Sequence, residues 1–137
     1  MKYFCPNCFT EVLENDKVCS HCHLNIREWE EKKTYTTRLV QALHHPLDEV
    51  RMGSIITLGN QADPHTAASL AECAYRYPTM VPQNLQIIAS LLQFPASRER
   101  DEGFRLLSQH PSKVIAKQAR KIFEAPEYER AETRDDP

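Results

Sequence analysis

Cys5-Pro6-Asn7-Cys8 and Cys19-Ser20-His21-Cys22 place four of the chain's five cysteines within its first 22 residues, as C-x2-C, ten residues, C-x2-C. Two residues between cysteines let one tight turn aim both thiolates at a single ion. A short return then brings the second pair to the same point. So short a segment cannot fold on apolar burial alone, and a structural metal supplies about 10–16 kcal/mol in peptides of this kind. The spacing therefore predicts one structural Zn2+ held by Cys5, Cys8, Cys19 and Cys22, with iron the chemical rival because four-sulfur sites also hold it. His21 and His23 read as surface residues. Four thiolates already close the site, and a catalytic zinc would keep one position open.

Within this segment Phe9–Leu13 reads as a strand, Glu14–Asp16 as a turn and Lys17–Cys19 as the return strand. With its Cys-Pro-x-Cys first knuckle, the segment resembles the zinc-ribbon family. His23 stands where many ribbons have glycine, so it is expected to adopt a positive φ. Tyr3, Phe4 and Phe9 read as the small core of the ribbon, the other reading being a stacking platform for bases or a peptide.

At 137 residues the chain has room for one small domain and a short module. A net charge of −2 implies no general attraction to nucleic acid. No apolar run approaches the roughly 20 residues that span a bilayer. Met1-Lys2-Tyr3-Phe4 leads straight into the first knuckle, so no secretory leader is expected. Paired thiols then point to a reducing, cytoplasmic setting. Nine prolines against three glycines suit a helical protein better than a hairpin-rich one.

Pro46, Pro78 and Pro111 recur at steps of 32 and 33 residues, each after a similar ending: Leu43-His44-His45, Tyr75-Arg76-Tyr77 and Ser108-Gln109-His110. A period in this range signals stacked supersecondary units. Each proline divides two helical stretches, 34–44 and 48–59, 64–76 and 80–93, 98–109 and 113–124. Apolar stripes agree, among them Leu39, Val40 and Leu43, then Leu85, Ile88, Leu91 and Leu92. Asp63, Thr79, Ser97 and Ser112 are cap candidates, and Asn25 through Glu28 has capping-box spacing. Val50-Arg51-Met52-Gly53-Ser54 through Leu58-Gly59 resembles the second helix of a short HEAT repeat, of the kind also found in phycobilisome-lyase-like proteins. The third unit carries a fainter copy, and the second keeps only the apolar spacing.

The expected fold is thus mainly α, a small N-terminal β zinc ribbon plus an α-α HEAT-like solenoid of about three helix pairs. The expected organisation is ribbon 1–26, linker or first helix 27–33, solenoid 34–125 and a flexible charged tail 126–137. Trp29 is placed to dock the ribbon, and Cys73 reads as a buried apolar residue. The HEAT resemblance implies that second helices line a concave face. Its exposed residues would run from Asp48, Glu49, Arg51 and Met52, through Gln83, Asn84, Gln86 and Gln93, to Lys113, Lys117, Arg120 and Lys121. The last four make a candidate site for an anionic partner, an acidic peptide of another protein or a phosphate backbone, the other reading being a solvated helix face. Arg51 is alternatively a hydrogen-bonding link between repeats.

No phosphate loop, nucleophile elbow or H-E-x-x-H is present, and His44-His45 with Asp48-Glu49 read as turn and surface residues. The expected function is a non-enzymatic protein-interaction adaptor. Nucleic-acid binding is the rival, weakened by the lack of a basic excess in either part. A lyase-like enzyme rests on fold analogy alone.

Overall fold

The computed structural model describes residues 3–131 and is mainly helical, with one small antiparallel sheet. In order it holds β1 (Tyr3–Phe4), β2 (Glu11–Val12), α1 (Ile26–Lys32), α2 (Tyr35–Ala42), α3 (Asp48–Gln61), a 3-10 turn (Pro64–Thr66), α4 (Ala67–Arg76), α5 (Val81–Leu92), α6 (Arg98–Leu107) and α7 (Lys113–Phe123). It divides into two compact units, Met1–Ser54 and Ile55–Pro137. All six helical stretches read from the proline period are helices.

Caps fix most of the boundaries. The side chains of Asn25, Thr34, Ser97 and Ser112 accept the backbone N–H three residues on, which satisfies donors left open at a helix start. Asp63 caps the 3-10 turn instead, accepting from the His65 N–H at 3.0 Å, and α4 begins only at Ala67. Thr79 caps nothing. Met80 precedes α5, and Pro82 sits in the first turn, where its missing N–H costs no hydrogen bond.

In the first unit, β1 and β2 pair with Tyr3 opposite Val12 and Phe4 opposite Glu11. This corrects the expected hairpin. Strand pairing closes around each cysteine knuckle, 3–4 with 11–12 and a bridge between Val18 and Asn25, whereas 9–13 and 17–19 form no ladder. The 14–16 segment is still a turn, with Leu13 N–H donating to Asp16 Oδ2 at 2.9 Å. Phe4 and Phe9 do not form a core of their own. They pack on the end of α2, with Phe4 edge-on to His45 at 4.7 Å and Phe9 stacked on His44 at 6.3 Å. Gln41 Nε2 donates to the Pro6 carbonyl at 2.6 Å, and Trp29 shares a small recess with Phe4, Phe9 and α2.

The second unit is a layered helical body in which α4 packs on α5 and α6, and α7 on α5 and α6. Its core includes Ile55, Leu58, Leu70, Ile87, Leu91, Phe104, Leu107 and Ile115, with Cys73 fully buried as expected. Gly59 marks a close approach. A Cβ there would lie 2.7 Å from both Cβ and Oγ of Ser90, and Ser90 Oγ donates to the Ile55 carbonyl at 2.9 Å.

Buried polar side chains tie down the turns between helices. Arg51, 4% exposed, donates to the carbonyls of His45 (2.7 Å) and Pro46 (3.2 Å). Asn84 donates to those of Tyr77 (2.9 Å) and Ala74 (3.3 Å), and at the surface the exposed Arg120 donates to that of Ser108 (3.1 Å). Arg51, Gln83 and Asn84 are therefore not groove residues, which corrects the sequence reading. Unpaired buried carbonyls are costly, and these side chains satisfy them. His45 and His110 build matching turns. The Nδ1 of each accepts the N–H two residues on, from Leu47 at 3.1 Å and Ser112 at 2.9 Å. Burial lowers the His45 pKa, with the charge of Arg51 adding to the effect, so the ring is held neutral as an acceptor.

Residues 126–131, read from sequence as the start of a mobile tail, instead return to α6; residues 132–137 lie outside the described residues. Tyr128 Oη donates to buried Asp101 Oδ1 at 2.8 Å, and Ala131 N–H to Oδ2 at 3.0 Å. The Arg100 guanidinium lies 4.5 Å from the Tyr128 ring centre, and Phe104 packs edge-on to that ring. Burial, then the bond to Asp101, raises the Tyr128 pKa above its ordinary 10.0.

Gly59→Ala should lower unfolding stability by about 1–3 kcal/mol through overpacking. Gly53→Ala, whose Cβ meets nothing within 4 Å among the described residues, should raise it by about 0.5–1 kcal/mol through helix propensity; paired urea titrations check both. Because the folded phenol pKa is raised, its stabilisation is complete below the unfolded value and declines as pH climbs through the folded one. Urea unfolding from about pH 8 to about pH 11 should show a smaller alkaline loss of stability in Tyr128→Phe than in the wild type.

Candidate metal centre

The four thiols are brought together by two copies of one local structure, fourteen residues apart. Cys5 N–H donates to the Thr10 carbonyl and Cys19 N–H to the Leu24 carbonyl, each at 2.9 Å. Phe9 N–H donates to the Cys5 carbonyl and His23 N–H to the Cys19 carbonyl, again at 2.9 Å. Asn7 N–H points at Cys5 Sγ and His21 N–H at Cys19 Sγ, each at 3.4 Å. Both copies turn through a left-handed residue just after their second cysteine, Phe9 at φ 60° and His23 at φ 64°. The positive φ expected of His23 is present, and Phe9 shares it. A residue with a Cβ adopts this region at a cost, so the contacts around each knuckle must hold it there.

The four Sγ atoms lie within 4.8 Å of one another, with Cys5 and Cys22 3.6 Å apart and Cys8 and Cys19 also 3.6 Å apart. A disulfide needs about 2.05 Å, so these are not bonded pairs. Cys5 and Cys19 are fully buried and Cys8 and Cys22 partly so, around a small cluster of Ile26, Val12 and Leu24. The arrangement is one that coordinates a metal ion. Among the described residues it is the one cluster of three or more metal-binding side chains. His21 and His23 are exposed and outside it.

The electrostatics explain what a cation does here. Burial pushes the Cys5 thiol up to about 12, against the pull of nearby N–H groups. The Thr10 hydroxyl, with the Thr10 backbone, draws Cys8 down to about 6, and the Asn7 side chain draws Cys22 down. Protein groups thus favour ionisation of Cys8 and Cys22, while burial of Cys5 opposes it and a positive charge alongside would offset that cost. Metal binding is therefore coupled to proton release.

Lys113, Lys117, Arg120 and Lys121 are all exposed on α7, with Arg120 committed in part to the Ser108 carbonyl. Sequence reasoning missed the aromatic and histidine packing beside the knuckles. The proximity of Phe9 to its cysteine was visible, but its partners lie more than thirty residues away. No helix among the described residues is long and apolar enough to cross a membrane. Compared with protein-family models, curated proteins and solved structures, the chain matches none.

Acidification should release the bound metal as the thiolates protonate. Cys19→Ser should bind it at least about tenfold more weakly and lose knuckle order, as expected when one of four ligands goes. Colorimetric release assays and amide exchange of residues 3–26 check these outcomes.

Proposed function

We propose that the protein is a non-enzymatic interaction module in which a structural zinc ribbon is joined to a short HEAT-like helical repeat that docks an acidic segment of another protein. The observation that carries the reading is the closed four-thiol cage. All four Sγ atoms lie within 4.8 Å of one another, and two opposite pairs are 3.6 Å apart, close to the roughly 3.8 Å between sulfurs that four tetrahedral Zn–S bonds of about 2.3 Å impose. Four thiolates and N–H···S bonds leave no coordination position for a substrate, so the ion organises the fold rather than performing a reaction. Reduced thiols suit a cytoplasmic setting.

The HEAT-like reading draws on three helix pairs at a 32- to 33-residue period, on the matched His45 and His110 turns, and on the glycine close approach at Ser90. Repeat surfaces are extended and favour peptides over small substrates. The basic face of α7 gives the docking site its sign, since among the described residues no carboxylate pairs with Lys113, Lys117 or Lys121.

Purified protein should contain one zinc per chain and should bind a fluorescein-labelled Ser/Glu peptide in an anisotropy titration. Lys117→Glu combined with Lys121→Glu should weaken that binding at least about tenfold. Those two lysines are chosen because Arg120 supports its turn. Unchanged binding in the variant, or tighter salt-dependent binding of a duplex DNA by the wild type, would contradict the reading.

A further inference from the structure

The exposed face shared by α5 and α7 is apolar at one side and cationic at the other. On α5, Leu85, Ala89 and Leu92 are spaced i, i+4, i+7 and all lie exposed, with Leu85 at 38% and Leu92 at 44%. That spacing puts them on one stripe about 10 Å long. On α7, Val114 is 56% exposed, and Gln118 and Lys121 continue its stripe at i+4 and i+7. The two helices pack together. Their C-terminal ends meet at a depression of about 680 Å³, where Leu92 faces Gln118, Lys121 and Ile122, and Tyr128 closes one side. Glu127 and Glu129, on the segment after α7, also line it, so the depression itself suits an apolar side chain and the cationic part of the footprint is Lys117 and Lys121.

Large apolar side chains exposed side by side on neighbouring helices mark a contact surface rather than a solvated one. The charge around them selects the occupant. Helix α5 carries no charged residue, and α7 carries four basic residues and no acidic one. The remainder of the chain carries thirteen basic and nineteen acidic residues, so α7 is a local concentration of positive charge. Arg120 turns toward Ser108 beside α6, and Lys117 and Lys121 remain for this face. A nucleic acid would use the lysines but leave Leu85, Leu92 and Val114 without partners. A purely acidic extended peptide would do the same.

We infer that this face takes an acidic amphipathic helix of a partner protein. Its apolar stripe lies along Leu85, Leu92 and Val114, one large side chain fills the depression, and its carboxylates lie against Lys117 and Lys121. Two stripes of about two helical turns each match the i, i+4, i+7 anchors of such a helix. The inference rests on the protein-docking reading above and adds the apolar half of the footprint.

The test uses the full chain and two labelled peptides of equal charge, one a Leu/Glu amphipathic helix and the other the same peptide with serine for leucine. The Leu/Glu peptide should bind at least about tenfold more tightly. Leu85→Ser with Leu92→Ser, both exposed in the folded chain, should abolish the difference while leaving the melting temperature in place. A Leu/Lys peptide should not bind. Equal affinity of the two acidic peptides, with both still lost in Lys117→Glu/Lys121→Glu, would overturn this inference and leave the docking reading standing. Failure of both acidic peptides would overturn both. Dimerisation of the wild type in sedimentation, dissolved by the serine variant, would overturn it by making a second copy of this chain the occupant.

Discussion

Four cysteine sulfurs held within 4.8 Å of each other create an electrostatic problem that the protein alone does not solve. Ionising them all places four negative charges around one point, two of them on fully buried residues. Leaving them protonated forfeits the coordination that would hold 3–26 in shape. A divalent cation resolves both at once, because attraction to four thiolates offsets their mutual repulsion and their desolvation. The two-residue strands and the left-handed Phe9 and His23 are too little to hold the knuckles without it. The packing of Phe4 and Phe9 on His44 and His45 is then the means by which a metal-ordered segment joins a helix.

The helical body works on a different principle. Its helices are short, of ten to fourteen residues from α3 onward, and little helicity survives at that length without packing. Burial of residues such as Leu91 and Phe104 supplies the drive, and side chains that satisfy turn carbonyls make each helix-to-helix turn specific. Asn84 and His110 illustrate this. Both lie within hydrogen-bonding distance of the Ala74 carbonyl, at 3.3 and 2.8 Å, so one buried acceptor fastens elements on either side of α4. Helix α7 carries only basic charges and its neighbour α5 none.

Much of this was legible in the sequence because it rests on local rules. The cysteine spacing marked the metal cage, and the proline period marked the helix pairs. Asn25, Ser97 and Ser112 marked helix starts through their own side chains. What escaped depends on residues distant in the chain. Asn84 looks like a surface residue until the carbonyls of Ala74 and Tyr77 come near, and Gln83 until it meets Cys73 Sγ and Asn84 Oδ1. Tyr128 looks like part of a charged tail until Asp101, twenty-seven residues earlier, proves to be its partner. The hairpin was misplaced for a related reason. The stretch 9–13 has strand composition, but the knuckle returns the chain beside β1, so β2 finds its hydrogen bonds there.

X-ray absorption at the zinc edge of the purified protein tests the central claim most directly, because it reports ligand type, number and distance around the ion. The account predicts four sulfur scatterers at about 2.3 Å and none of lighter elements in the first shell. A shell containing nitrogen or oxygen, fewer than four sulfurs, or no metal at all would contradict it.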